Sequence, residues 1–291
     1  MIKKLTILGL GLIGGSLARG IAQNQFADHI QGWGRRDASL ITAKELGAID
    51  SFTLDLDEAL DGADVVVIAT PTLIAGDMLK QVIARAATET IITDVASVKG
   101  NLLQDAKRAN NGQEPSNLVL AHPIAGSEQS GISAARADLF VNHRVILTPT
   151  QQTDKDAVKV IQAMWESVGA QVLEMSVLEH DRILASTSHL PHVLAYALVD
   201  ALSSDESSED IFNFAAGGFR DFTRIASSDP TMWQEISLAN RQAILESIDA
   251  FSEHLSALRT AIKNEDGDKI LATFERAKVA RDAFVHKSNS N

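Results

Sequence analysis

Over the first 175 residues, short uninterrupted apolar runs alternate with longer stretches whose apolar positions recur every three to four residues. The runs occupy 5–8, 30–33, 65–69, 91–94, 118–121, 145–147 and 172–175. A parallel strand covered on both faces by crossover helices needs no polar alternation, and the run Val65-Val-Val-Ile-Ala69 has none. The alternation of strand and helix predicts βαβ units around a mostly parallel, doubly wound sheet. Beyond residue 176 the strand-like runs cease. Stretches 193–202, 236–258 and 270–284 carry helical periodicity instead, and the polar stretch 203–210 reads as an exposed loop between helices. The chain is therefore expected to be α/β: a Rossmann-type doubly wound domain over 1–175, then an all-α domain over 176–291.

Composition narrows the chemistry. With 291 residues, 45% of them hydrophobic, the chain is long enough for two cores. A net charge of −12 argues against sustained nucleic-acid or anionic-membrane binding, because both need a clustered basic face. No cysteine is present, so disulfides, thiolate catalysis, iron–sulfur clusters and cysteine-zinc sites are excluded. Lys3 and Lys4 ahead of an apolar stretch superficially resemble a secretory signal, but Gly9, Gly11, Gly14, Gly15 and Arg19 interrupt it. No run approaches the roughly 18 to 20 apolar residues of a membrane span. A cytoplasmic protein acting on a small molecule is expected.

Those glycines have a better explanation. Gly9-Leu-Gly11-Leu12-Ile13-Gly14 directly follows the first strand and opens a helical pattern. In a dinucleotide fold the first glycine makes the tight turn, the second lets backbone approach the pyrophosphate, and the third lets helix pack on strand. The phosphates sit on the helix N-terminus, beside Leu12 and Ile13. An acidic residue at the end of the second strand would bond the ribose of NAD, but here Gly34 stands there, followed by Arg35, Arg36 and Asp37. Guanidinium groups suit the 2′-phosphate of NADP, so NADP is the expected cofactor, with NAD as the alternative.

Three of the eight histidines lie in informative surroundings. His122 follows the run 118–121, which puts it at the carboxyl end of a strand, where open α/β sheets bind ligands. A neutral imidazole there accepts a proton from a substrate hydroxyl as hydride leaves the carbon, and Ser97, after the preceding strand, is placed to bond His122 or that hydroxyl. His189 and His192 share a helix face, but no motif supplies the further ligands of a metal site, so none is expected. Arg220 and Arg224 sit one turn apart among apolar residues, a pattern that favours a partly buried guanidinium receiving an anion. For Arg220 a structural pairing with Asp221 or Asp229 is equally open.

Together the glycine loop, Asp94-Val-Ala-Ser97-Val-Lys99, His122-Pro-Ile-Ala-Gly-Ser-Glu128, Ser188-His189-Leu-Pro-His192 and Gly217-Gly-Phe-Arg-Asp-Phe-Thr-Arg224 closely resemble the prephenate/arogenate (cyclohexadienyl) dehydrogenases of tyrosine biosynthesis, over nearly the whole chain. The resemblance implies oxidative decarboxylation: hydride leaves C4 of a cyclohexadiene for the nicotinamide, the ring carboxylate departs as CO2 and the ring becomes aromatic. It assigns His122 as the catalytic acceptor and Ser97 as its partner at the hydroxyl. Arg224 would grip a substrate carboxylate, and His192, with His189 nearby, would face the other polar groups. Gly217 and Trp233 would lie near the pocket, partly across a homodimer interface built from the C-terminal helices. Relatives specific for arogenate sometimes lack a histidine where His192 stands, so its presence suggests that prephenate is accepted. The departure is the Gly34-Arg35-Arg36 loop, where many relatives carry an acidic residue and use NAD. The competing readings are a β-hydroxyacid-type dehydrogenase, whose catalytic lysine has no counterpart in the helical half, and a cofactor-binding sensor, which would be expected to have lost His122 or Arg224.

Overall fold

A computed structural model describes residues 2–126, 129–205 and 207–289. Ser127 and Glu128 of the His122 motif, Glu206 of the polar stretch and the last two residues lie outside the described residues. The chain separates into two compact units, Met1–Arg241 and Gln242–Asn291.

The first unit begins β1 (Ile2–Leu8), α1 (Leu12–Asn24), β2 (Ala27–Trp33), α2 (Asp37–Glu45), β3 (Ser51–Thr53), α3 (Leu56–Leu60), β4 (Val65–Ile68), α4 (Thr72–Arg85), β5 (Ile91–Asp94), α5 (Gly100–Ala109) and β6 (Leu118–Val119). These six strands form one parallel sheet in the order β3-β2-β1-β4-β5-β6. The order reverses between β1 and β4, which opens the ligand crevice beyond their carboxyl ends. Strand β4 shows why its sequence is apolar throughout. Val65 and Val67 pack with Leu5, Ile7, Leu17 and Trp165 on one face, while Val66 and Ile68 pack with Leu8, Leu79 and Leu102 on the other.

The chain continues β7 (Ala121–Pro123), β8 (Arg144–Leu147), α6 (Lys155–Ser167) and β9 (Gln171–Glu174). Two details differ from the sequence pattern. Strand β3 is only three residues long and carries no apolar run, so nothing marked it. The run 118–121 splits at Leu120: β6 closes the parallel sheet, and β7 joins β8 and β9 in a separate sheet in which β7 runs antiparallel to β8. The switch occurs because β5 ends at Asp94, whose carboxylate takes the Ala121 N–H at 3.0 Å, while the Leu120 carbonyl accepts from Thr148.

Helices complete the unit: α7 (Val177–Leu184), a π-helical turn Ala185–His189, α8 (Leu190–Ser203), α9 (Ser208–Asn213), α10 (Gly217–Thr223), a 3-10 turn Arg224–Ser227 and α11 (Pro230–Ala239). Ser176 caps α7 and Asp229 caps α11 through side-chain oxygens on free backbone N–H groups. The stretch expected as one helix over 236–258 breaks at Asn240, between α11 and α12 (Arg241–Lys263). The second unit holds most of α12 and α13 (Gly267–Asn289). Ile262, Leu271, Phe274 and Val279 there expose more than half of their surface. Among the described residues, no helix is long and apolar enough to cross a membrane.

Candidate active site

The glycine loop connects β1 to α1 at the point where the strand order reverses. Gly9 takes φ +103°, and a Cβ on it would lie 2.6 Å from the Ala69 carbonyl oxygen. A Cβ on Gly14 would fall on the Gly9 carbonyl oxygen and lie 2.8 Å from the Ala69 side chain, so only glycine lets α1 sit this close to β1 and β4. Gly11 caps α1 in extended conformation, and nothing lies within 4 Å of where its Cβ would be. The first turn of α1 has no acidic residue and its cap makes no side-chain hydrogen bond. The buried Thr70 hydroxyl, just after β4, has no hydrogen-bond partner among the described residues. Open space above free N–H groups, with an unpaired hydroxyl alongside, fits a dinucleotide pyrophosphate. Arg35 and Arg36 are exposed after the end of β2, and Arg36 precedes α2 directly.

The second half of the site gathers at the carboxyl end of β5. The Asp94 carboxylate pairs with Lys99, both fully buried, and also accepts from the Ala96 and Ala121 N–H groups. Lys99 Nζ donates to the Ala121 carbonyl at 2.7 Å, and burial lowers its pKa against the pull of Asp94. Asp94 and Lys99 thus clamp the backbone beside His122. His122 sits within β7, opposite Ile146, in the strand that follows the sheet edge. Burial, reinforced by the nearby His180, Lys99 and His189, holds its pKa well below the ordinary 6.5. Its Nδ1 is 2.9 Å from His180 Nε2, and His180 Nδ1 is 2.8 Å from Asp181 Oδ1. Ser97 lies half-buried in the loop before α5 and makes no hydrogen bond to His122; among the described residues the partner of His122 is His180.

The helices bring the remaining candidates together in part. His189, at the end of the π turn, is buried; its Nδ1 is 3.1 Å from Asn240 Nδ2, and burial lowers its pKa to about 4. π turns recur at functional sites because they swing one side chain out of helical register. His192 stacks on Trp233 with ring centroids 3.5 Å apart, and its Nδ1 donates to the Ser188 carbonyl. His189 meets the same indole edge-on at 6.1 Å. The shared face expected of the two histidines is thus the face that Trp233 covers. The Trp233 indole N–H is buried without a partner among the described residues, and Trp233 with Ile236 packs over Val98. Burial lowers the His192 pKa, the hydrogen bond to the Ser188 carbonyl opposes that shift, and the charge of the Arg224 guanidinium adds to it. Arg224, which opens the 3-10 turn after α10, is exposed, not partly buried as its flanking residues suggested, because neither α10 nor that turn has a buried residue. Gly217 begins α10 in an exposed position, and Arg220 on the same helix is exposed too.

His180, Asp181 and Asn240 had not been singled out from the sequence. The adjacent His180-Asp181 pair was the available signal, and the break at Asn240 was hidden in a continuous helical pattern. Asn240 Nδ2 also donates to the Asp181 carbonyl at 2.9 Å, tying α11 to α7.

The family model for the nucleotide-binding domain of prephenate dehydrogenase matches residues 17–174, and the model for the dimerization domain of the same enzymes matches 176–276. A cyclohexadienyl dehydrogenase of Zymomonas mobilis is 36% identical over 97% of this chain and 96% of its own length. A prephenate dehydrogenase of Bacillus subtilis is 38% identical over 96% of this chain and 76% of its own. The crystal structure of prephenate dehydrogenase from A. aeolicus, in complex with hydroxyphenyl propionate and NAD+, superposes with a TM-score of 0.89 at 34% identity, covering 97% of this chain and 98% of that one.

Proposed function

The chain belongs to the prephenate dehydrogenase family, and from that premise we propose that it catalyses the NAD(P)-dependent oxidative decarboxylation of prephenate, arogenate or both. The observation that carries this reading is the buried imidazole of His122, held neutral beyond the carboxyl edge of a sheet that bears a dinucleotide loop. Gly9, Gly11, Leu12, Ile13 and Gly14 hold the cofactor pyrophosphate. When bound, the nicotinamide supplies the acceptor for the hydride from C4. His122 takes the proton of the 4-hydroxyl as the C4–H bond breaks, and Ser97 steadies that hydroxyl. The electron pair released with CO2 enters the ring, which becomes aromatic, and the proton returns from His122 to the phenolate oxygen. No net proton is consumed.

Arg224 grips a substrate carboxylate, with His192 and His189 at the remaining polar groups and Trp233 and Gly217 lining the pocket. The unpaired Trp233 indole N–H supports this placement. A histidine at His192 favours prephenate among the two substrates. The coenzyme is read as NADP, because Gly34 leaves no carboxylate to repel a 2′-phosphate and Arg35 with Arg36 is exposed at the strand end. Functionally the chain divides into a nucleotide-binding part over 1–175 and a helical substrate and dimerisation part over 176–291. It works as a cytoplasmic homodimer joined through the C-terminal helices, whose exposed apolar side chains support that assembly. Prephenate and arogenate assayed with NAD and NADP, following reduced nicotinamide, test the reading. Turnover of prephenate with the higher kcat/KM for NADP is expected, and no reduced nicotinamide in any of the four combinations would overturn it.

A further inference from the structure

The hydrogen bonds behind His122 have a direction set by their far end. Asp181 accepts the Lys99 N–H at 3.0 Å and the Gly100 N–H at 2.8 Å, and its Oδ1 is 2.8 Å from His180 Nδ1. Burial alone would raise the pKa of Asp181, but the bonds from His180 and those two N–H groups hold it below the usual carboxylate value. An ionised carboxylate only accepts, so the proton at this contact sits on His180 Nδ1. His180 is fully buried, and its neutral ring, protonated at Nδ1, offers a lone pair at Nε2. That lone pair lies 2.9 Å from His122 Nδ1, which therefore donates. Neutral His122 is left with its lone pair on Nε2, the one ring nitrogen free of this chain of bonds.

We propose that Asp181, acting through His180, is a positioning residue that holds His122 in the tautomer whose Nε2 accepts the substrate proton. The proposal rests on the reading of His122 as the acceptor. The opposite tautomer would present an N–H to the hydroxyl and turn the acceptor into a donor. A buried carboxylate fixes the histidine tautomer of serine-protease triads by the same logic, here with one imidazole inserted between. His189 is set the other way. The Asn240 amide nitrogen donates to the Asp181 carbonyl and to His189 Nδ1, so the His189 proton lies on Nε2. Carboxylate and amide thus give neighbouring histidines opposite polarity.

Asp181→Asn tests the proposal. Its amide nitrogen must face either the Gly100 N–H or the shared contact with Lys99 N–H and His180 Nδ1. In the second arrangement the His180 proton moves to Nε2, and that of His122 follows. The variant is expected to lose about 10²-fold or more in kcat, with both KM values changed by no more than about twofold. Raising the pH does not recover the loss, since deprotonation does not cure a wrong neutral tautomer. Of the charged and titratable groups around His122, Asp181 alone is changed; Lys99, Asp94, His180 and His189 are retained. Nitrogen-15 NMR of histidine-labelled enzyme reads the tautomer directly, with the His122 signals assigned by their loss in His122→Asn. A protonated Nδ1 and bare Nε2 are expected in the wild-type protein, reversed in Asp181→Asn. A wild-type His122 protonated at Nε2, or an Asp181→Asn enzyme that reverses the His122 tautomer and keeps wild-type kcat, overturns the proposal. The wild-type spectrum decides it even if the variant does not fold. If His122→Asn itself keeps its turnover, the acceptor assignment fails; if only Asp181→Asn keeps it with the His122 tautomer reversed, the positioning role alone fails.

Discussion

At the scale of single residues, the groups assigned to the substrate on the proposed reading are distinct from the groups that set their state. On that proposed reading, replacing His122 by Asn removes the acceptor while leaving the glycine loop untouched. We expect turnover to fall about 10²-fold or more, with coenzyme affinity measured by fluorescence titration nearly unchanged. Arg224→Ala should act on binding instead. Loss of a charge-assisted hydrogen bond of about 1.5 to 3 kcal/mol raises the substrate KM roughly 10- to 100-fold, and an unchanged KM in steady-state assays would assign the carboxylate to another group. On the NADP reading, in which each guanidinium makes a charge-assisted contact to the 2′-phosphate, exchanging Arg35 and Arg36 for alanine should lower the NADP-to-NAD ratio of kcat/KM about tenfold or more. His122, His189, His192 and Trp233 were legible as motif residues. The partner of His122 was not, because His180 is 58 positions away and the contact depends on which ring nitrogens meet.

The elements are positioned by a few intolerant contacts. Gly14 is the clearest, since any Cβ there would collide with the Gly9 carbonyl oxygen and force α1 off β1. Gly14→Ala should destabilise the fold by about 1 to 3 kcal/mol, the usual scale of overpacking, and abolish coenzyme binding. A denaturant midpoint and a coenzyme titration that both match the wild type would refute this. The helical and strand patterns were read well wherever an element is covered by its neighbours along its whole length. They failed where one side chain redirects the backbone. Asp94 captures the Ala121 N–H and turns one apparent strand into two, and Asn240 ends α11 in order to bridge Asp181 and His189. Local periodicity does not register a single long-range hydrogen bond.

For the whole molecule, burying so many neutral histidines has a consequence for pH. His122, His180 and His189 all have pKa values lowered by burial, His189 to about 4, whereas in the unfolded chain they titrate near the ordinary 6.5. Below that value the unfolded state binds protons that the folded state resists, so stability falls as the pH drops from 6.5 toward about 4. Thermal unfolding should show a Tm several degrees lower at about pH 5 than at about pH 7.5, and a Tm that stays level would contradict the burial of these rings as neutral species. The sequence by itself determined the doubly wound sheet, the glycine loop and the family, because these depend on residue type at short spacing: unbroken apolar strands, and glycines where a Cβ has no room. Only the tertiary structure decided which side chains share protons. The Asp181, His180 and His122 chain, the Asn240 bridge and the buried Asp94 and Lys99 pair depend on ångström-scale distances between distant segments, and those are set when packing brings α7 and α11 against the end of β5.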